Sequence, residues 1–151
     1  MATVTETIRP DARPLVRRGV LAVTLSVLAN AAVLTGALAL DVAPGFRALA
    51  WPPVMFLTVG GAVGAVAAYW VLSRVSETPD RHFTLLAAVL LVLSFVPDLV
   101  LLSADPAATV AGVVVLMVMH VTVAAACVGA LTRRVGVSVP TDGPSVEADD
   151  E

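Results

Sequence analysis

Two side chains combine titratable chemistry with an apolar setting. Asp98 directly follows Pro97 in the apolar stretch Leu93–Val100, and His120 closes the run Met117–His120. A carboxylate and an imidazole in a low-dielectric environment can store or exchange a proton, or can coordinate a passing cation. A charge at the centre of a transmembrane helix costs roughly 2.5 to 3.5 kcal/mol on insertion scales. We therefore expect Asp98 to face protein or water and not lipid.

Three more polar side chains lie in apolar runs. Ser26 and Asn30 are four residues apart, which places them on one helical face, and Asn30 is predicted to lie at the depth of His120. Ser94 lies one turn before Asp98 and is expected to donate to the Leu90 carbonyl. The predicted intramembrane polar cluster comprises Asn30, Asp98, His120, Ser94 and Ser26.

Pro97 has no N–H to donate within its helix. It is predicted to kink that helix and to leave the Leu93 carbonyl, one turn back, in need of another partner.

The composition is that of an integral membrane protein. Of 151 residues, 58% are hydrophobic and 14% are charged, whereas charged residues make up about a quarter of an ordinary soluble domain. The single cysteine, Cys127, excludes an intrachain disulfide. The arginines are scattered over several flanks, which argues against nucleic-acid binding.

Apolar runs of 19 residues or more mark four spans, each long enough to cross a hydrocarbon core of ~30 Å. The predicted fold is all-α, a four-helix up-down antiparallel transmembrane bundle. We expect a flexible cytoplasmic arm over residues 1–18 and a disordered acidic cytoplasmic tail over 135–151. The bundle occupies residues 19–134, with spans at about 19–40, 54–72, 83–103 and 108–131.

The first apolar run could also be a secretory signal. Arg17-Arg18 resembles a twin-arginine motif, and Ala37-Leu38-Ala39 resembles a cleavage site. The run is longer than the 7 to 15 residues typical of a signal sequence, so a retained first span is favoured.

Arginine placement predicts the orientation. Assigning both termini and residues 73–82 to one side places eight of the nine arginines there and leaves Arg47 on the other. The positive-inside rule then predicts a multi-pass protein of the cell membrane with both termini in the cytoplasm.

Small residues on the second span form a predicted helix-packing face. Gly60, Gly64 and Ala68 are spaced four apart, so another helix could approach closely. Packing against a helix of the same chain is the favoured interpretation, and a homodimer contact is the alternative.

Because side chains lean toward the N-terminus of their helix, Asp98 and His120 on antiparallel spans would lean toward each other.

Enzyme hypotheses fail on the residues present. A thiol oxidoreductase needs paired cysteines, and the chain has one. A bis-histidine haem needs two facing central histidines, but His82 is at the membrane edge and only His120 is central. A zinc site needs three protein ligands, and Asp98 and His120 supply two. We therefore predict no catalytic residues, no cofactor and no metal site.

The chain resembles an uncharacterised, domain-of-unknown-function family of small four-span prokaryotic membrane proteins. The resemblance covers residues 17–134 and is most specific at Val96-Pro97-Asp98 and Met117–His120. It implies the fold and the choice of Asp98 and His120, and no activity. The small multidrug-resistance transporters are similar in size and span count, but they carry their essential acid in span 1, where this chain has Asn30.

Three functional hypotheses remain. The leading one is an uncharacterised membrane protein whose polar cluster is chiefly structural, since an interhelical hydrogen bond fixes which helices pair. The second is a small proton- or cation-coupled transporter or channel subunit that acts as an oligomer. The third is a membrane subunit of a larger complex. The partners implied are the lipid bilayer and a second copy or another membrane protein.

Overall fold

The computed structural model describes residues 13–132, which form four long helices and one short 3-10 turn, Arg47–Leu49. All four helices are long and apolar enough to cross a membrane. The prediction of an all-α, four-helix transmembrane bundle is confirmed. The helices are α1 (Arg13–Ala39), α2 (Trp51–Val75), α3 (Pro79–Ala104) and α4 (Val110–Thr132).

The helices extend beyond the predicted spans. Helix α1 begins at Arg13, so the prediction of a flexible arm through residue 18 is wrong for residues 13–18. Helices α2 and α3 reduce the predicted 73–82 loop to residues 76–78. Hydropathy marks the hydrocarbon crossing, whereas backbone hydrogen bonding continues into the polar interface. The remainder of the arm and the predicted acidic tail lie outside the described residues.

Local sequence explains where the helices start and stop. Pro52 and Pro53 lie in the first turn of α2, and Pro79 opens α3, positions at which the missing N–H costs nothing. At the other end of α1, Asp41 adopts a left-handed φ of 49°, and the Val42 N–H bonds back to the Ala37 carbonyl. This C-terminal cap turns the chain out of α1.

The helices form a ring in chain order. Helix α1 packs most extensively on α4 and also on α2, while α3 packs on α4 and less on α2. We call the end with connections 40–50 and 105–109 the connector end. The opposite end, with residues 76–78, the start of α1 and the end of α4, is the terminal end.

Two apolar clusters fill the bundle, one toward each end. The connector-end cluster contains Leu34, Val113 and Met119, and the terminal-end cluster contains Ala22, Ala62 and Leu131. Buried polar residues lie between them in α1 and α2. Residues 22, 26, 30 and 34 of α1 share one face, as do 54, 58 and 62 of α2, so a polar layer separates the two clusters.

The close helix contacts form at glycines other than those predicted. A Cβ on Gly112 would lie 2.8 Å from the Ala43 Cβ, and one on Gly19 would lie 3.0 Å from Val66, whereas Gly60 and Gly64 have nothing within 4 Å of such an atom. The expectation that Gly60 and Gly64 pack on a helix of the same chain is therefore wrong, whereas Ala68 is half-buried. The reason is helical register: α2 buries its Thr58 and Ala62 face, and Gly60 points the other way.

Candidate functional site

Asp98 is buried on the helix that otherwise exposes most of its surface. Among the residues of α3 only Phe83 and Asp98 are buried, and Asp98 is 5% exposed. Neighbouring Leu99 and Val100 are each more than half exposed. Helix α3 therefore turns its carboxylate toward protein and its apolar side chains outward, as a bilayer requires.

His120 of α4 lies against this carboxylate. The His120 Nδ1 is 3.2 Å from the Asp98 Oδ2 and 2.9 Å from the Leu116 carbonyl oxygen. Because a carbonyl oxygen only accepts hydrogen bonds, these contacts assign the ring hydrogen to Nδ1. The better bond goes to Leu116, and Asp98 Oδ2 has no hydrogen bond of good geometry within residues 13–132.

The His120 ring is partly buried, and its second nitrogen, Nε2, has no partner within residues 13–132. The His120 side chain is 40% exposed, and Nε2 makes no hydrogen bond to any residue that the structure describes. In the neutral ring with hydrogen on Nδ1, Nε2 carries the free lone pair. A proton can therefore be added at Nε2, and the adjacent Asp98 carboxylate compensates the charge of the imidazolium.

Asn30 belongs to a separate group that joins three helices. Its Nδ2 donates to the Thr58 Oγ1 at 2.8 Å, and the Thr122 Oγ1 lies 2.5 Å from its Oδ1. The Thr122 hydroxyl is also 2.8 Å from the Met119 carbonyl, so one proton is shared between two acceptors. Both the nitrogen and the oxygen of the Asn30 amide have partners, which links α1 to α2 and to α4.

The remaining predicted polar residues bond locally. Ser26 donates to the Ala22 carbonyl at 2.8 Å and lies 3.9 Å from the Cys127 sulfur. Ser94 donates to the Leu91 carbonyl at 2.7 Å, so the expected bond to Leu90 is wrong. Helical serines can bond back three or four residues, and here the shorter reach is used.

The five residues predicted as one cluster thus divide into separate groups. No hydrogen bond within residues 13–132 joins Asn30 to the Asp98 and His120 pair. Helices α1 and α3 lie diagonally across the ring, and Asn30 faces α2 and α4 in the interior. Helix α3 runs unbroken through Pro97, so the proline does not end the span.

The described part of the chain offers few ligands for a metal. Over residues 13–132, no three His, Cys, Asp or Glu side chains lie close enough together to hold an ion. Asp98 and His120 alone supply two ligands, which is short of the three protein ligands of a catalytic zinc site.

The sequence pattern of a family of unknown function, DUF6069, matches residues 10–137. The chain belongs to this family. The match spans all four helices and confirms the resemblance to an uncharacterised family. No curated protein and no solved structure matches the chain. Membership of DUF6069 carries no activity, so the chemistry proposed below rests on the side-chain geometry.

Sequence reasoning missed two partners that the fold of this DUF6069 member brings to Asn30. Thr58 is 4% exposed, and Thr122 follows His120 by two residues. A threonine in an apolar helix usually bonds to its own backbone, so neither stands out by type. Depth is the available signal, because Thr58 and Asn30 lie seven and nine residues from the connector ends of their helices.

Proposed function

We propose that this protein binds and releases a proton within the bilayer at the Asp98 and His120 pair. It would act as a non-enzymatic, proton-coupled transporter or channel subunit. The observation that carries the proposal is the position of His120, whose Nδ1 is held between the Leu116 carbonyl and the Asp98 carboxylate. That arrangement leaves Nε2 as the atom that takes up the proton.

The depth of the pair supports a transmembrane role. Asp98 is six residues from the connector end of α3, and His120 is ten residues from the start of α4. At ~1.5 Å per residue the pair lies about 9 to 15 Å inside the bundle. An ionisable pair at this depth marks an ion or proton pathway more often than a surface contact.

Assembly into an oligomer forms part of the proposal. Gly60 and Gly64 are exposed, and a Cβ added at either would meet nothing within 4 Å among residues 13–132, so a second copy could pack closely there. The arginine asymmetry supports a cell-membrane location with the terminal end in the cytoplasm. The helix turns nearest the terminal end carry Arg17, Arg18, Arg74 and Arg81, whereas Arg47 is at the connector end.

A structural role is the second candidate and is favoured by the Asn30 group. Its hydrogen bonds link three helices and leave neither side of the amide without a partner. Such bonds fix helix pairing. The two proposals are compatible, because they assign different residues to different tasks.

Proton flux into liposomes tests the proposal. The purified protein is reconstituted around a pH-sensitive dye, and a proton gradient is applied. We expect protein-dependent flux that falls at least about tenfold in Asp98→Asn, since an amide carries no charge to compensate an imidazolium. Asp105→Asn is the matched control, because Asp105 lies outside the helices and its side chain accepts the Ala107 N–H.

His120→Asn separates protonation from packing. An asparagine nitrogen can replace Nδ1 as the donor but takes up no proton. Loss of flux in this variant, with thermal stability retained, supports the proposal. Equal flux in the wild type and in both site variants overturns the proposal. So does a loss of flux in Asp105→Asn as large as the loss in the site variants.

A further inference from the structure

A crevice lies at the connector end, away from the Asp98 and His120 pair. Its volume is about 630 Å³, and its walls come from the last turn of α1, the 40–50 connection and the first turn of α2. This volume is in the range of small-molecule sites, which are mostly apolar with a few placed polar groups. The residues that matter for recognition are Leu38, Asp41, Phe46, Arg47 and Trp51.

The floor of the crevice is packed against the bundle. Phe46 and Leu49 are buried at 3% and 4% exposure and belong to the connector-end apolar cluster. The Phe46 ring also lies beside Gly112 of α4, where an added Cβ would be 3.1 Å away. The concave surface is therefore set by packing against the bundle.

Two opposite charges line the crevice without neutralising each other. Asp41 and Arg47 both contribute to its wall, and neither forms an ion pair within 4 Å with a residue of the described range 13–132. A ligand that carries both an anion and a cation would offer a partner to each of these side chains.

The location restricts the ligand to the membrane interface. The crevice is where two transmembrane helices end, with Leu38 and Trp51 48% and 46% exposed along its edge. Tryptophan at a helix end sits at headgroup depth. A molecule bound here would have a polar group beside Asp41 and Arg47 and an apolar part running down toward Leu38.

We propose that this crevice binds a zwitterionic phospholipid of the ethanolamine type. The phosphate would contact the Arg47 guanidinium, the ammonium would donate to the Asp41 carboxylate, and an acyl chain would lie along Leu38 and Trp51. An ammonium with N–H groups makes a charge-assisted hydrogen bond that a choline cannot make. The site is therefore selective for ethanolamine over choline headgroups.

Tryptophan quenching measures this binding directly. The chain has two tryptophans, so Trp70→Phe leaves Trp51 as the only reporter. The protein in neutral detergent micelles is titrated with phospholipids that have brominated acyl chains and ethanolamine, choline or glycerol headgroups. We expect saturable quenching, with half-saturation about fivefold lower for ethanolamine than for the other two, the size expected for an exposed ion pair.

Charge variants identify the contacts. We expect Arg47→Gln to raise the half-saturation for all three lipids and Asp41→Asn to remove only the preference for ethanolamine. Asparagine tolerates the left-handed conformation at position 41, so the fold is retained. Arg74→Gln removes an arginine at the terminal end, beside Trp70, and is expected to change nothing.

Three results would overturn the proposal. One is equal quenching by every headgroup. Another is quenching that is indifferent to Arg47→Gln. The third is competition by water-soluble phosphoethanolamine that relieves the quenching of Trp51 as strongly as unbrominated lipid does. That result would identify a small-molecule site.

Discussion

The side chains around Asn30 and around Asp98 differ in how completely they are hydrogen-bonded. The Asn30 amide has a partner at its nitrogen and at its oxygen. The Asp98 carboxylate lies 3.2 Å from the His120 Nδ1, which is better placed to donate to the Leu116 carbonyl. A polar group with satisfied partners rigidifies a core, whereas an incompletely paired ionisable group can change its protonation state.

Removing the Asn30 amide should weaken the bundle. Asn30→Ala loses bonds to two helices and leaves the Thr58 hydroxyl without its donor, so we expect a loss of about 1 to 2 kcal/mol in the free energy of unfolding in the membrane. Steric trapping in bicelles measures this quantity.

Thr35→Ala is the control for Asn30→Ala. Thr35 lies on the same helix, is exposed and bonds only to its own backbone at Ala31, so its removal should change stability little. Equal losses in the two variants would contradict a special role for Asn30.

At the residue scale, sequence chemistry identified Asp98, His120 and Asn30 but not how they group. An acid in an apolar run must face protein, which residue type alone reveals. Whether Asn30 meets His120 or Thr122 depends on which face of α4 looks across the ring. A side chain two residues further along a helix points roughly 200° away. The depth of a residue in its span does not reveal which neighbouring helix its side chain faces.

At the scale of elements, close approach between backbone segments is decided by register. Hydropathy located all four helices because each must cross the same apolar thickness. The spacing of Gly60, Gly64 and Ala68 did not reveal what they pack against, since a ridge of small residues looks the same whether it meets a helix, lipid or a second copy. The contact that needs a glycine is Gly112 against the 40–50 connection.

Alanine at two glycines should therefore have opposite effects. Gly112→Ala places a methyl group 2.8 Å from the Ala43 Cβ, and such overpacking costs about 1 to 3 kcal/mol. Gly36→Ala on α1 meets nothing within 4 Å and gains the helix propensity of alanine, about 0.5 to 1 kcal/mol. Thermal unfolding in a mild detergent should show a lower midpoint for the first variant and an equal or higher one for the second. The reverse order would contradict the packing described for the connector.

At the scale of the whole molecule, the arginines at the helix ends are the basis of the proposed orientation. Arg18 at the terminal end also bonds the Leu131 carbonyl at 3.4 Å, and Arg74 lies 4.8 Å from the centre of the Trp70 ring. An arginine beside an aromatic ring is suited to the membrane interface. The terminal end therefore carries the cations that the positive-inside rule associates with the cytoplasmic face, beside an interfacial tryptophan.

Cysteine labelling tests this orientation. In a Cys127→Ala background the chain has no other thiol, so single cysteines can be placed at exposed positions of either end. We expect a membrane-impermeant maleimide to label Pro44→Cys in intact cells and Glu77→Cys only after the membrane is opened. Labelling with the opposite order would contradict cytoplasmic termini.

Proton binding at the Asp98 and His120 pair can be observed in the state of the His120 ring in a bilayer. The chain has two histidines, and His82→Gln leaves His120 alone for ¹⁵N-histidine solid-state NMR across roughly pH 5 to 9. We predict a neutral form with hydrogen on Nδ1 and a bare Nε2, and the appearance of imidazolium on acidification. Hydrogen on Nε2 in the neutral form, or a spectrum unchanged by pH, would contradict proton binding at this pair.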